Sequence, residues 1–203
     1  MMENKFTNAL VKEVSKALYN EEIVCFPTET VMGVAVKAEH VSTYNKLVEL
    51  KNRPANKVFP FCVLKKDIES YCYVNDLQKK IIDAFLPGPL TIILKRRKGV
   101  PEFIGNEEGT IAIRVSENEF VTKVLERINK PIFLTSANLS GKDVCKDSDE
   151  AKKVFLDKIK VYVEGKPFGG VATTIVDLTK DKPILIRQGE IKIEDILKVW
   201  EDK

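Results

Sequence analysis

Short apolar runs and helix-period segments alternate from one end of this chain to the other, and that alternation constrains the fold more than any other feature. Phe6, Leu10, Val14, Ala17 and Leu18 recur at helical spacing, which predicts a helix over residues 6–19. Ile23-Val24-Cys25-Phe26 follows as a short apolar strand ended by Pro27, with residues 34–36 as its partner. Val41, Tyr44, Leu47, Val48 and Lys51 mark a second helix; Pro54 limits it, because the residue before proline is pushed out of the helical region. Residues 59–64 read as a buried strand. Leu77, Ile81, Ile82, Phe85 and Leu86 give a third helix, stopped by Pro87-Gly88-Pro89. Strands follow at 91–94 and 110–115, then a helix carrying Phe120, Val121, Val124, Leu125 and Ile128. Further strands are expected at 132–134, 161–163, 174–178 and 184–186, with a closing helix over 193–200. Interleaving of this kind makes the class α/β with a sizeable sheet. The spacing is irregular and shows no internal repeat, so a mixed sheet is expected rather than a purely parallel one. No linker-like stretch divides residues 1–203, which read as a single domain.

Composition removes several classes of function. The 33 basic and 30 acidic residues leave a formal charge of only +3, which argues against a protein that coats nucleic acid but permits a local basic site. The single histidine, His40, excludes H-E-x-x-H zinc enzymes and tris-histidine metal sites. A Ser-His-Asp triad would have to use it, yet it stands between Glu39 and Val41 at an expected helix start, the place of a surface or capping histidine. Cys25, Cys62, Cys72 and Cys145 form no C-x-x-C pair and are expected to be reduced, buried thiols. No run approaches 18 apolar residues and the N-terminus has no apolar signal region, so the expected compartment is the cytoplasm, with no membrane partner. The Asn138-Leu139-Ser140 sequon then carries no meaning.

Neither G-x-x-x-x-G-K-[ST] nor G-x-G-x-x-G is present, so a nucleotide site would need another construction. Four polar clusters interrupt apolar runs at element ends, where ligand groups gather in α/β sheets. Pro27-Thr28-Glu29-Thr30, followed by Gly33, brings two hydroxyls and a carboxylate that either orient a small polar ligand or form an ordinary turn with a threonine cap. Lys51-Asn52-Arg53-Pro54 with Lys57 sets three cations within seven residues. Lys51 and Arg53 share no face of a continuous helix, but a break at Pro54 lets both turn to one anion; the alternative is a plain helix-dipole interaction. Thr135-Ser136-Ala137-Asn138-Leu139-Ser140-Gly141 follows the strand PIFL and reads as a hydroxyl–amide pair or as a loop of turn formers. Gly169-Gly170-Val171-Ala172-Thr173-Thr174, with Arg187-Gln188-Gly189 beyond the next strand, allows close backbone approach to an anion. Arg114 ends the strand TIAIR as a further cation. The run Lys95-Arg96-Arg97-Lys98 is most simply a solvated turn, with a phosphate-backbone contact as the other reading.

Taken in order, these clusters resemble the YrdC-like domain family, the threonylcarbamoyl-AMP synthases of tRNA modification. The resemblance covers residues 7 to 198 and rests on FPTETVMGVA (26–35), KNRP (51–54), PGPLT (87–91), TIAIRV (110–115), TSANLSG (135–141), TTIVD (173–177) and IRQG (186–189). It implies a twisted mixed sheet with flanking helices and a large basic cavity. It implies the conversion of L-threonine, bicarbonate and ATP, with Mg²⁺, to threonylcarbamoyl-AMP and pyrophosphate. Carried over residue by residue, it implies catalytic roles for Lys51, Arg53, Ser136 and Asn138, and ATP contacts at Arg53, Lys57, Thr110, Ser136 and Arg187. It implies threonine contacts at Thr30, Arg114 and Thr173, with a main-chain contact at Cys62, and it assigns no protein metal ligand. Implied partners are a downstream threonylcarbamoyl transferase complex and tRNA or double-stranded RNA. An RNA-binding or ribosome-associated module of the same fold, or a paralogous nucleotide-binding enzyme, is the alternative.

The residues agree chemically with that implication. A carbamate formed from threonine and bicarbonate attacks the α-phosphorus of ATP, so the site has to align reactants and stabilise phosphoryl charge; no histidine or cysteine nucleophile is needed. The chain departs from the family at Met32, where tyrosine is usual, and at Val34, Val58, Ala172 and Thr173, of which Thr173 keeps the hydroxyl of the usual serine. Met32 removes an aromatic ring and its hydroxyl from beside the expected site.

Overall fold

The computed structural model describes residues 7–53 and 58–202. Nine strands form one mixed sheet: β1 (Val24–Pro27), β2 (Met32–Lys37), β3 (Phe61–Cys62), β4 (Leu90–Lys95), β5 (Thr110–Arg114), β6 (Ile132–Ser136), β7 (Val161–Tyr162), β8 (Thr174–Asp177) and β9 (Ile184–Arg187). Their order is β7-β1-β2-β6-β3-β5-β4-β8-β9, with β1–β7, β3–β5 and β4–β8 parallel and the other pairs antiparallel. The helices are α1 (Asn8–Tyr19), α2 (Val41–Lys51), α3 (Ile68–Tyr71), α4 (Asp76–Phe85), α5 (Glu119–Ile128), α6 (Ser148–Phe155) and α7 (Ile193–Glu201). The mixed α/β sheet expected from the sequence is thus the one observed.

Caps set the helix starts. Thr7 accepts from Leu10 N at 3.3 Å and so opens α1 at Asn8, two residues later than the apolar period suggested. Asn75 and Gln78 form a reciprocal capping box at α4, and the Gln78 amide also donates to Leu178 O at 2.8 Å, tying α4 to the end of β8. His40 occupies the N-cap position of α2 without making a capping bond; its exposed ring lies 3.4 Å from Glu21. Two helices escaped the sequence reading. α3 has four residues and no period. α6 buries Ser148, Ala151 and Phe155, of which only Ala151 and Phe155, one turn apart, are apolar, although Asp147 caps it through Asp149 N and Glu150 N.

Alternation along the strands sorts side chains onto two faces. One face carries the larger apolar cluster, in which Phe61, Leu90, Ile92, Ile111, Ile113, Phe133 and Val176 pack under α2, α4, α6 and α7. Phe133 is its aromatic hub, with Tyr44, Phe59, Phe61 and Phe103 rings at 5.3, 6.4, 5.9 and 6.3 Å. The other face carries a smaller cluster, where α1 and α5 cover Val24, Phe26, Ala35, Cys62, Ile132 and Leu134. No residue of β4, β5, β8 or β9 belongs to that second cluster. At the end of β5 the turn after β1, backed by a loop, stands where a helix would otherwise pack. Glu29 in the turn after β1 reaches Arg114, and Phe168 N donates to Thr28 O at 3.1 Å. Polar side chains on this half of the sheet therefore meet one another rather than a helix. All four cysteines are buried and free, and burial pushes the Cys25, Cys62 and Cys72 thiols up to about 12, which leaves them protonated and unreactive.

Candidate active site

A single register row crosses the sheet from the helix-covered half to the uncovered half: Ile132, Cys62, Arg114, Thr91, Ile175 and Arg187. Residues in one row project to one face, so strand pairing places Arg114 beside Thr91 and, beyond Ile175, aligns Arg187 with them. The turn after β1 closes over this row. Thr28, fully buried, donates to Val31 O at 2.7 Å and accepts from Thr30 N and Val31 N, both at 3.2 Å. That internal clasp fixes Glu29 and Thr30 toward β5. Arg114 Nη2 donates to Glu29 Oε1 at 2.6 Å and to Thr30 Oγ1 at 3.0 Å, and Ser116 Oγ donates to Glu29 Oε2 at 2.7 Å. The ion pair is almost wholly buried.

The strand ends beyond β4 build the second element. Arg187 donates to Thr173 O through Nε at 3.0 Å and Nη2 at 2.8 Å, and to Thr173 Oγ1 at 3.0 Å. Thr173 Oγ1 lies 2.9 Å from Thr91 Oγ1. Glycine is required here by space: a Cβ on Gly189 would stand 2.3 Å from Ala172 O and from Thr174 N, and one on Gly169 would stand 2.7 Å from Glu29 O. The glycines expected to approach an anion thus serve first to let the chain close on the Thr173 and Glu29 backbones.

Lys51 supplies the third element. Its side chain is fully buried, and Nζ donates to Ser136 O, to Asn138 O at 2.9 Å and to Asn138 Oδ1 at 2.8 Å. Ser136 Oγ donates to the same Asn138 Oδ1 at 2.7 Å, and Ser140 N returns a bond to Lys51 O at 2.9 Å. When protonated, Lys51 therefore pins the end of β6 and the loop after it with all three of its hydrogens. Burial, then the nearby charge of Arg53, pushes the Lys51 amine down to about 7. Between that value and its ordinary 10.5 the unfolded chain holds a proton that the folded chain lacks, so stability rises with pH across this window and Lys51 detracts most below pH 7. Thermal melts from pH 7 to 10 should show that upward slope, and Lys51→Met should flatten it; an identical slope in the variant would assign it to another group.

Three arginines share this end of the sheet. Burial first, then the positive charges of Arg114 and Arg53, hold the Arg187 guanidinium below its usual value. Arg53 itself is lowered by burial; Nη2 donates to Val58 O at 2.9 Å and the guanidinium stacks 4.8 Å above the Phe59 ring. Arg53 and Lys51 thus reach different partners, close enough to repel. Thr110 opens β5 and donates through N and Oγ1 to Asn106 Oδ1, both at 2.9 Å. Cys62 lies wholly within the second apolar cluster, so only its main chain is available to a ligand. Pro54 and Lys57 lie outside the described residues. Met32 is buried in the larger cluster and meets the site through its carbonyl, which accepts from Ala137 N at 2.7 Å. Two cations of the 95–98 run are structural: Arg96 bonds Val100 O, and Arg97 donates to Cys72 O and stacks on Tyr73. Sequence reasoning left out Thr91 and Ser116. Thr91 closes the motif PGPLT, where it was given no role, and Ser116 adjoins TIAIRV; neither carries a spacing that would link it to Thr173 or Glu29.

The family model Sua5/YciO/YrdC, described as telomere recombination, matches residues 16–189. The chain belongs to this family. It is 38% identical over 185 residues to a protein of Methanocaldococcus jannaschii named a putative threonylcarbamoyl-AMP synthase, covering 90% of this chain and 87% of the relative. It is 33% identical over 186 residues to the threonylcarbamoyl-AMP synthase of Pyrococcus abyssi, covering 88% of this chain and 53% of that one. Among solved structures, Pyrococcus abyssi Sua5 complexed with L-threonine superposes with a TM-score of 0.89 at 29% identity, over 95% of this chain and 58% of that one. This chain therefore spans little more than half of the Pyrococcus abyssi protein. E. coli YciO superposes with a TM-score of 0.86 at 24% identity over 94% of both chains, a likeness of fold.

Proposed function

We propose that this family member is an L-threonylcarbamoyladenylate synthase, a nucleotidyltransferase that makes threonylcarbamoyl-AMP and pyrophosphate from L-threonine, bicarbonate and ATP for tRNA modification. The observation that carries the reading is the placing of Arg53 and Arg114 within electrostatic reach of the half-buried Arg187, an arrangement that a polyanionic ligand would relieve. The synthase names of relatives at 33–38% identity support it.

In this reading threonine's amine adds to bicarbonate with loss of water, and the carbamate oxygen attacks the α-phosphorus as pyrophosphate leaves. Lys51 holds Ser136 and Asn138 in place; Arg53, Lys57, Thr110, Ser136 and Arg187 bind ATP; Thr30, Arg114, Thr173 and the Cys62 main chain take threonine. Preorganised donors lower the barrier by stabilising charge that develops on phosphoryl oxygens. Among the described residues no group of three histidine, cysteine or acidic side chains could hold a metal, and Glu29 is already engaged by Arg114 and Ser116. The described residues do not fit a resident Mg²⁺, so Mg²⁺ belongs here to the substrate, arriving on the ATP phosphates. The product passes to a separate threonylcarbamoyl transferase complex in the cytoplasm, with tRNA or double-stranded RNA as a weak, salt-sensitive partner. No described helix is long and apolar enough to cross a membrane.

Pyrophosphate release with threonine, bicarbonate and ATP omitted in turn tests the reading. Turnover should need all three, and release that ignores threonine would discard it. Arg53→Lys gives a sharper check, because it keeps the charge and loses the planar fork. It should lower kcat/KM for ATP about tenfold, roughly 1.4 kcal/mol, with little change in melting temperature. Wild-type kinetics would remove the fork's role.

A further inference from the structure

β4 carries one hydroxyl in an otherwise apolar run, Leu90-Thr91-Ile92-Ile93-Leu94, and that residue is fully buried. Valine would fill the same space without a polar atom to satisfy. Among the described residues Thr91 Oγ1 has one partner, Thr173 Oγ1 at 2.9 Å, and the distance alone lets either oxygen donate. Counting hydrogens decides between them. A hydroxyl brings one hydrogen and two lone pairs, and buried hydroxyls are normally satisfied. Were Thr173 the donor, the Thr91 hydrogen would be shut inside the sheet with no acceptor. With Thr91 as donor that hydrogen is used. Thr173 Oγ1 then accepts twice, from Thr91 and from Arg187 Nη2 at 3.0 Å. Both of its lone pairs are taken, and its own hydrogen is left over.

The leftover hydrogen has no acceptor among the described residues. Thr173 stands on the uncovered face of the sheet, bonded to the Arg187 guanidinium, with the positive charge of Arg114 within reach. That surrounding favours an anionic oxygen as the missing acceptor. The Thr91 bond adds direction rather than attachment, because the backbone around Thr173 is held by other means. Arg187 Nε and Nη2 donate to Thr173 O, Thr174 N donates to Pro89 O at 3.0 Å, and Gly189 N donates to Thr174 Oγ1 at 3.0 Å.

Resting on the synthase reading, we infer that Thr91 is a positioning residue: by donating to Thr173 it holds the Thr173 hydroxyl as a donor to an anionic oxygen of the reactants. That oxygen belongs either to the amino acid's carboxylate or to the α-phosphoryl group. Thr91 touches neither reactant and acts only through Thr173.

Neutron diffraction from the ligand-free, deuterium-exchanged chain reads the direction without reference to the reaction. Deuterium on Thr91 Oγ1 along the contact is expected; deuterium on Thr173 Oγ1 in that position would overturn the inference. Function is read in Thr91→Val and Thr91→Ser, with melting curves to establish that each is folded. Thr91→Val should lose about tenfold, the size of one neutral hydrogen bond. The loss falls on L-threonine affinity, measured by calorimetry, if the oxygen is the carboxylate's, and on kcat at saturating substrates if it is the phosphoryl group's. Thr91→Ser keeps the donor and should restore most of it. In a Thr173→Val background Thr91→Val should cost nothing further, since its effect passes through a hydroxyl already removed. An undiminished loss in that background, equal losses in the serine and valine variants, or wild-type affinity and kcat in Thr91→Val would each overturn the inference. Pyrophosphate release that ignores threonine would discard the synthase reading and leave the neutron result to decide the Thr91 assignment by itself.

Discussion

Lys51→Met should lower kcat/KM for ATP by about a hundredfold, or roughly 2.7 kcal/mol of transition-state stabilisation. Methionine matches the length of the stem and removes only the ammonium. Three oxygens of the loop after β6, Ser136 O, Asn138 O and Asn138 Oδ1, then lose a shared donor. Asn138 keeps Ser136 Oγ and the Lys142 carbonyl as partners, so the loop persists while the angle between hydroxyl and amide relaxes. A misplacement on the order of 1 Å at a positioning group is enough for a hundredfold loss. Pyrophosphate release at saturating threonine and bicarbonate measures it. Turnover within about threefold of wild type would show that the loop holds its shape without the ammonium.

Gly189→Ala should cost about 3 kcal/mol of stability and most of the activity, because the new methyl meets main chain rather than a yielding side chain. Its Cβ would lie 2.3 Å from Ala172 O and Thr174 N and 2.6 Å from Thr173 C. Relief has to move either β9 or the segment that carries Thr173, and both are joined by the Arg187 bonds to Thr173. Chemical denaturation and ATP kinetics on the same preparation would report both effects. A variant with wild-type stability would mean that the backbone there yields freely.

Most of the architecture was legible because the strands in the sheet's centre are largely buried on both sides and so read as nearly continuous apolar runs, as in β4 (LTIIL) and β5 (TIAIR). The run at residues 59–64 shows the limit of that signal. Phe59, Phe61 and Val63 are core residues, yet the ladder reaches only Phe61 and Cys62. Pro60 lacks a donor and contributes its carbonyl alone, to Leu134 N. α6 was hidden for the opposite reason, since its charged positions outnumber the two that pack. At the site, the clusters stood out because each breaks an apolar run at a strand end. Their pairing was not legible. Nothing in the spacing of Glu29 and Arg114 announces an ion pair, and nothing marks Lys51 as the clasp of a loop rather than a free charge.

Each of the three elements of the site contains contacts between residues 82 to 87 positions apart: Lys51 with Ser136 and Asn138, Glu29 with Arg114 and Ser116, Thr91 with Thr173. Such contacts carry the full loop-closure entropy of the intervening chain and form only when the whole sheet has assembled. Substrate affinity is then coupled to global rather than local folding. A nicked or half-folded chain has no partial site to offer, and a bound substrate raises the melting point of the entire molecule instead of quieting one loop.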